Sequence, residues 1–286
     1  MRTALENRAL RLGGRIASAA LALLLFSPAD AQEIPVGPRP ARGVDLNPRN
    51  VFHLSTEFGT LEGMSGLAFP LGIDYQVDPA IAFMVELPFG YATAPGEPAA
   101  PLFGQVGVGA RGSAYVPLGV RAGLRYGGAL MGRIPTAPAV GPGSDLDQRF
   151  GVLRTISSYD FERWTPGLAA VRLDAAAALD LGRIAFDAEL GPTILLPLDA
   201  APATVSFHGS LLLAVRAFKG IWGFVELAGS QGLSSAGESE GAMLSLAPGM
   251  RLRLGGAAPA LWVSLPLWGG IGGRAPVVIF LEIASY

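Results

Sequence analysis

The chain has 286 residues, no cysteine, a single lysine (Lys219), a net charge of −2 and a mean hydropathy of +0.42. Disulfide frameworks and thiolate chemistry are excluded, and nothing in the charge points to nucleic acid. With only 15% charged residues, the chain falls short of the roughly one-quarter with which soluble domains hydrate their surfaces.

The N-terminus reads as an export signal over residues 1–31. Arg2, Arg8, Arg11 and Arg15 precede an apolar run, Ile16 to Phe26, and Ala29-Asp30-Ala31 offers a small-x-small cleavage site. The run is too short to span a bilayer. Residues 32–50 are rich in Pro and Arg and have no periodicity, so a disordered periplasmic lead-in is expected there.

From residue 51 onward the dominant signal is a two-residue period. Apolar and small-or-polar side chains alternate over segments expected as strands at 51–59, 64–77, 80–92, 102–115, 120–134, 168–182, 184–197, 204–218, 221–233, 243–254, 260–269 and 277–286. In the segment from Val120, one face carries Ala122, Leu124, Tyr126 and Leu130, and the other Arg121, Arg125 and Arg133. From Ala169, the set Val171, Leu173, Ala175 and Leu179 opposes Arg172, Asp174 and Asp180. Alternation alone also fits a soluble barrel or sandwich, but the sparse charge does not. The expected fold is therefore all-β: a transmembrane antiparallel up-and-down barrel of about twelve strands. Pro259 and Pro266 with the flanking glycines exclude a helical span in the late charge-free stretch.

Connection lengths give the orientation. Asp78-Pro79, Pro117-Leu118-Gly119, Gly182-Arg183, Lys219-Gly220 and Gly255 to Pro259 are tight, whereas the alternate connections are longer, most of all Pro135 to Gly167. Barrels of this class have short periplasmic turns and long external loops. An outer-membrane location with both termini periplasmic is expected. Thr60 to Gly63 is a short exception, and it leaves a ten-strand barrel open. The long loop, 135–167, ends in a dense segment, Tyr159-Asp160-Phe161-Glu162-Arg163-Trp164. It could fold into the lumen or lie outside as a receptor surface.

The segment Leu71-Gly72-Ile73-Asp74-Tyr75-Gln76-Val77-Asp78-Pro79, followed by Ile81 to Phe89, resembles hairpins of Gram-negative porin-like outer-membrane barrels, including a family of phenol-degradation-pathway transporters. The resemblance implies passage of a small solute, lipid contact, and recognition of the last strand by the barrel-assembly machinery through a terminal aromatic residue. Tyr286 fills that place, although it is out of phase with the apolar ladder Val277, Ile279, Leu281 and Ile283.

The face opposite the apolar one gives the lumen. Candidate constriction residues are Arg111, Arg121, Arg125, Asp174, Asp187, Glu189 and Arg251, with acids and bases nearly balanced. They could close the bore as a salt-bridged plug, or set a transverse field on solutes between a basic side and an acidic side. Trp262 and Trp268 share that face and point inward if the phase holds. His208 and Ser210 also share a face, which raises a minor hydrolase alternative, but no orienting third group is evident. No metal-ligand spacing and no phosphate loop stand out. The expectation is a non-enzymatic channel or facilitator without cofactor, its alternative a closed structural or surface-interaction barrel acting through external loops.

Overall fold

A strand with one apolar and one polar face is stable in a bilayer only if its backbone is fully paired and its apolar face meets lipid. The computed structural model, which describes residues 46, 49–120, 122–138, 140–199, 201–218, 220–232, 242–254, 257–269 and 276–285, meets both conditions. Its strands are β1 (Val51–Leu61), β2 (Met64–Asp78), β3 (Ile81–Ala94), β4 (Glu97–Phe103), β5 (Val106–Gly119), β6 (Ala122–Ile134), β7 (Leu168–Asp180), β8 (Ile184–Pro197), β9 (Thr204–Phe218), β10 (Ile221–Gly232), β11 (Met243–Leu252), β12 (Ala257–Gly269) and β13 (Val278–Ser285). Neighbours are antiparallel throughout, and β13 pairs with β1, from Phe52 opposite Ser285 to Gly59 opposite Val278, so the sheet closes. Among the described residues no helix is long and apolar enough to cross a membrane. The crossing elements are strands.

The barrel has twelve staves rather than thirteen, because β4 and β5 share one. Strand β3 pairs with β4 along Phe89–Ala94 and with β5 along Ile81–Glu86. The single strand expected at 102–115 is thus broken at Gly104-Gln105, both of which are buried. Leu102 points inward while Val108 points out, so the phase inverts across the break. The cause lies outside the sheet: the Gln105 amide donates to the Arg163 carbonyl at 2.8 Å instead of completing the ladder.

The short first connection is a two-residue hairpin in which Glu62 (φ 50°) and Gly63 (φ 82°) both take positive φ, the conformation that matches strand twist in tight hairpins. It sits, with the equally short Pro95-Gly96 turn between β3 and β4, at the end of the barrel that carries the longer connections. The opposite end carries the tight turns, together with the start of β1 and the end of β13.

Side chains of Phe58, Phe83, Leu190, Leu211 and Ile279 stand outward, Leu190 with 61% of its surface exposed. In water this continuous apolar belt would be a liability; in a bilayer it is the lipid face. Phe69, Tyr75, Phe89 and Tyr91 also lie on the outer side, with Phe69 edge-on to Tyr91 at 6.3 Å. The two tryptophans of β12 separate. Trp262 is 2% exposed and stacks on Phe280 at 5.0 Å inside the barrel, whereas Trp268 is 64% exposed. Register explains the difference: Ser245 faces Pro266 and Leu244 faces Trp268, so Leu267 is an extra residue that turns Trp268 out of the lumen.

The loop after β6 turns inward. Ser144 caps a helix, α1 (Asp145–Ile156), by accepting from the Asp147 amide at 3.2 Å. A 3-10 segment (Ser158–Trp164) follows before β7 begins. Phe150, Val152, Leu153, Ile156 and Trp164 are buried with Ala68, Ala92 and Leu102 of the inner wall. Of the N-terminal lead-in, Leu46 is described and buried, with its carbonyl accepting from Ser113 Oγ at 2.6 Å and from Arg125 at 3.3 Å. That residue therefore packs inside the tight-turn end of the lumen. The export signal, residues 32–45, 47 and 48 of the lead-in, and Tyr286 lie outside the described residues.

Candidate functional site

The site is the lumen with the loop folded into it. Its apolar seat is cut by glycines on the inner faces of the first staves. A Cβ at Gly66 would lie 2.6 Å from Ile156 Cδ1, and one at Gly90 would lie 2.7 Å from Leu153 Cδ1. Only the absence of side chains there lets α1 approach so closely. Gln105, fully buried, stitches the loop at both ends. Its amide nitrogen donates to the Thr165 carbonyl at 2.7 Å, and its oxygen accepts from the Thr136 amide at 2.6 Å. Arg149 reaches the carbonyls of Ala92 and Pro98 and holds the helix to the wall.

Deeper in, the contacts become ionic. Arg163 of the 3-10 segment donates to Glu57 at 3.0 Å and to both oxygens of Glu86 at 2.8 and 3.0 Å. Glu86 also accepts from Arg133, and Glu57 from Ser157, whose hydroxyl in turn accepts from the Trp164 indole at 3.1 Å. Burial by itself would lower the proton affinity of Arg163, but Glu86, Asp160 and Glu57 more than reverse this and hold the guanidinium charged. The Glu162 carboxyl is pushed up, first by burial and then by Asp160.

On the opposite wall Arg172 gathers a second cluster. It donates to Asp174 at 3.0 Å, to Glu189 at 2.9 Å and to Asp160 of the loop. Tyr159, also from the loop, donates to Glu189 at 3.1 Å and stands edge-on to His208 at 5.7 Å. His208 contacts Asp174 through Nε2 and Thr193 through Nδ1 at 3.2 Å. Around the loop, six carboxylates (Glu57, Glu86, Asp160, Glu162, Asp174, Glu189) share three guanidinium groups (Arg133, Arg163, Arg172).

The residues singled out from sequence separate into distinct roles. Arg111 is buried and paired with Asp74 at 3.1 Å, and Arg251 with Glu282 at 2.7 Å. Arg125 binds the Leu46 carbonyl and stacks over Tyr115. Asp174 and Glu189 join the Arg172 cluster, and Asp187 lines the same inner face of β8, half-buried. Arg121 lies outside the described residues. The hydrogen bonds of the His208 ring nitrogens among the described residues are to Asp174 and Thr193, not to Ser210. The principal ligand of the wall acids, Arg163, was not among the sequence candidates. Its signal was present in the dense end of the loop and in the Ser144-to-Asp147 cap followed by Leu146, Phe150 and Leu153 at helical spacing.

Beneath the loop remains a cavity of about 150 Å³, lined in part by Ser55, Asp74, Arg111, Arg133, Asp174 and Glu282.

No protein-family model matches the chain, and no curated protein matches it in sequence. Solved structures resemble it in fold. The NanC porin aligns over 82% of this chain and 98% of its own, with 6% identity and a TM-score of 0.50. The KdgM porin covers the same shares at 9% identity and a TM-score of 0.48. OmpT, an outer membrane protein of Vibrio cholerae, covers 83% and 98% at 9% identity and a TM-score of 0.39. At these identities the likeness concerns architecture alone. The chain is an outer-membrane-type β-barrel, and that fold points to the outer membrane of a Gram-negative bacterium.

Proposed function

We propose that this barrel is a channel for a small polar solute, held shut by its own inward loop. One observation carries the reading: the space under the loop is walled by both acidic and basic side chains. A barrel serving only as a scaffold gains more from apolar filling, since buried ion pairs are often no better than well-packed hydrophobic replacements. Charges of both signs suit a water-filled path, where they set a field across the bore. In this reading Arg111 on β5 belongs to a basic side and Asp187 and Glu189 on β8 to an acidic side that would act on a passing solute. The tight turns and both termini lie in the periplasm, as short turns do in this class, and the last strand, β13, is the segment the assembly machinery would read.

The test is planar-bilayer recording on residues 32–286, with the double variant Leu153→Asp/Arg163→Ala alongside. The variant loses both the apolar seat and the ionic anchor of the loop. The expected result is rare or small conductance steps from the wild type and larger, frequent steps from the variant. A folded, inserted variant that stays silent would sink the channel reading. It would favour the second one, a closed barrel acting through its outer surface, whose supporting observation is the apolar seal of α1 on the wall.

A further inference from the structure

Three metal-ligating side chains meet on the inner wall away from the apolar seat. Asp174 of β7, Glu189 of β8 and His208 of β9 each aim one donor atom at a common point, all three atoms lying within 4.8 Å of one another, and all three residues are buried. Register brings them there. Gly191 lies opposite His208 and, by the pairing of Arg172 with Thr193, opposite Asp174. Asp174 and His208 therefore reach across a residue without a side chain. Thr193 holds His208 Nδ1 at 3.2 Å, which turns Nε2 toward both carboxylates, touching Asp174 and 3.8 Å from Glu189.

We propose that Asp174, Glu189 and His208 bind one divalent transition-metal ion such as zinc. One imidazole nitrogen and two carboxylate oxygens form a donor set for zinc, iron(II) or manganese rather than for calcium or magnesium, which prefer oxygen alone. The wall is rich in acid at this point: Asp160, Asp174 and Glu189 all gather on the Arg172 guanidinium, a setting in which a divalent cation would meet carboxylate oxygens already brought together. The outer partners of such a site are in place. Arg172 donates to both carboxylates and the Tyr159 hydroxyl to Glu189, as hydrogen bonds commonly orient metal-binding carboxylates. The site does not depend on the barrel being a channel.

The experiment uses the refolded chain in detergent, stripped with a chelator and titrated with zinc by calorimetry, and with cobalt(II) by visible absorption. The expected result is uptake of about one zinc ion per chain and a cobalt spectrum of a low-coordinate site with a nitrogen ligand. His208→Gln and Glu189→Gln should each weaken binding at least tenfold, while His53→Gln leaves it unchanged. Either of the first two variants folding is sufficient for the comparison. A folded wild type that takes up no stoichiometric zinc overturns the proposal whatever the variants do. So does uptake that survives in a folded His208→Gln or Glu189→Gln protein.

Discussion

Two walls of the same lumen meet the same loop in opposite ways. The wall of β1, β2 and β3 offers glycine and alanine, and α1 lies against it with Phe150, Leu153 and Ile156. The wall of β7, β8 and β9 offers Arg172, Asp174, Glu189 and His208, to which Tyr159 and Asp160 of the loop bond. The first wall works by shape, which tolerates almost no added atom. The second works by charge, which tolerates geometry but not the loss of a partner. Arg163 joins them, because it binds Glu57 and Glu86 of the first wall and also Asp160, which in turn binds Arg172 of the second.

The largest disruption is expected from Arg163→Ala. It leaves Glu57 and Glu86 facing each other with less cationic compensation, and breaking a buried pair costs about 3–5 kcal/mol. Proteolysis of the 135–167 loop in the folded barrel should become rapid; protection equal to that of the wild type would mean that the shape of the first wall holds the loop alone. Leu153→Ala removes the side chain in the centre of the seat, at about 2–5 kcal/mol. It should raise hydrogen exchange across α1 while the strand amides stay protected.

Gly66→Val asks the reverse question by adding atoms where Ile156 already lies. Overpacking of this kind costs about 1–3 kcal/mol, and it should lift α1 from the wall while leaving the Arg172 cluster intact. Labelling of a cysteine placed at Arg154 would then speed up, and an unchanged rate would show that the helix can slide instead. The smallest effect belongs to Ser144→Ala, which removes the helix cap at about 1 kcal/mol. Exchange should increase at the first turn of α1 and nowhere else.

Much of the barrel is legible in the sequence because a strand repeats every two residues, so that each segment announces its own two faces. The alternations from Ala169 and from Ile184 correspond to β7 and β8 with little adjustment. Asp174, Glu189, Arg111 and Arg251 are inward in the structure, as their parity indicates. The reading falters where an interaction from elsewhere breaks the period. Gln105 leaves its ladder for a carbonyl of the loop, and the extra residue Leu267 turns Trp268 toward lipid.

By itself, then, the sequence determined the barrel, an approximate number of staves with ten left open beside twelve, and many of the charges facing inward, since these follow from local period and turn length. Only the tertiary structure decided which way the long loop folds and which charges pair. Arg163 meets Glu57 across 106 positions of chain, and Ser157 meets the same carboxylate across 100. Asp174, Glu189 and His208 carry no spacing signal because strand register, not sequence distance, brings them together. Contacts of that range depend on closure of the whole sheet, and no window of neighbouring residues encodes them.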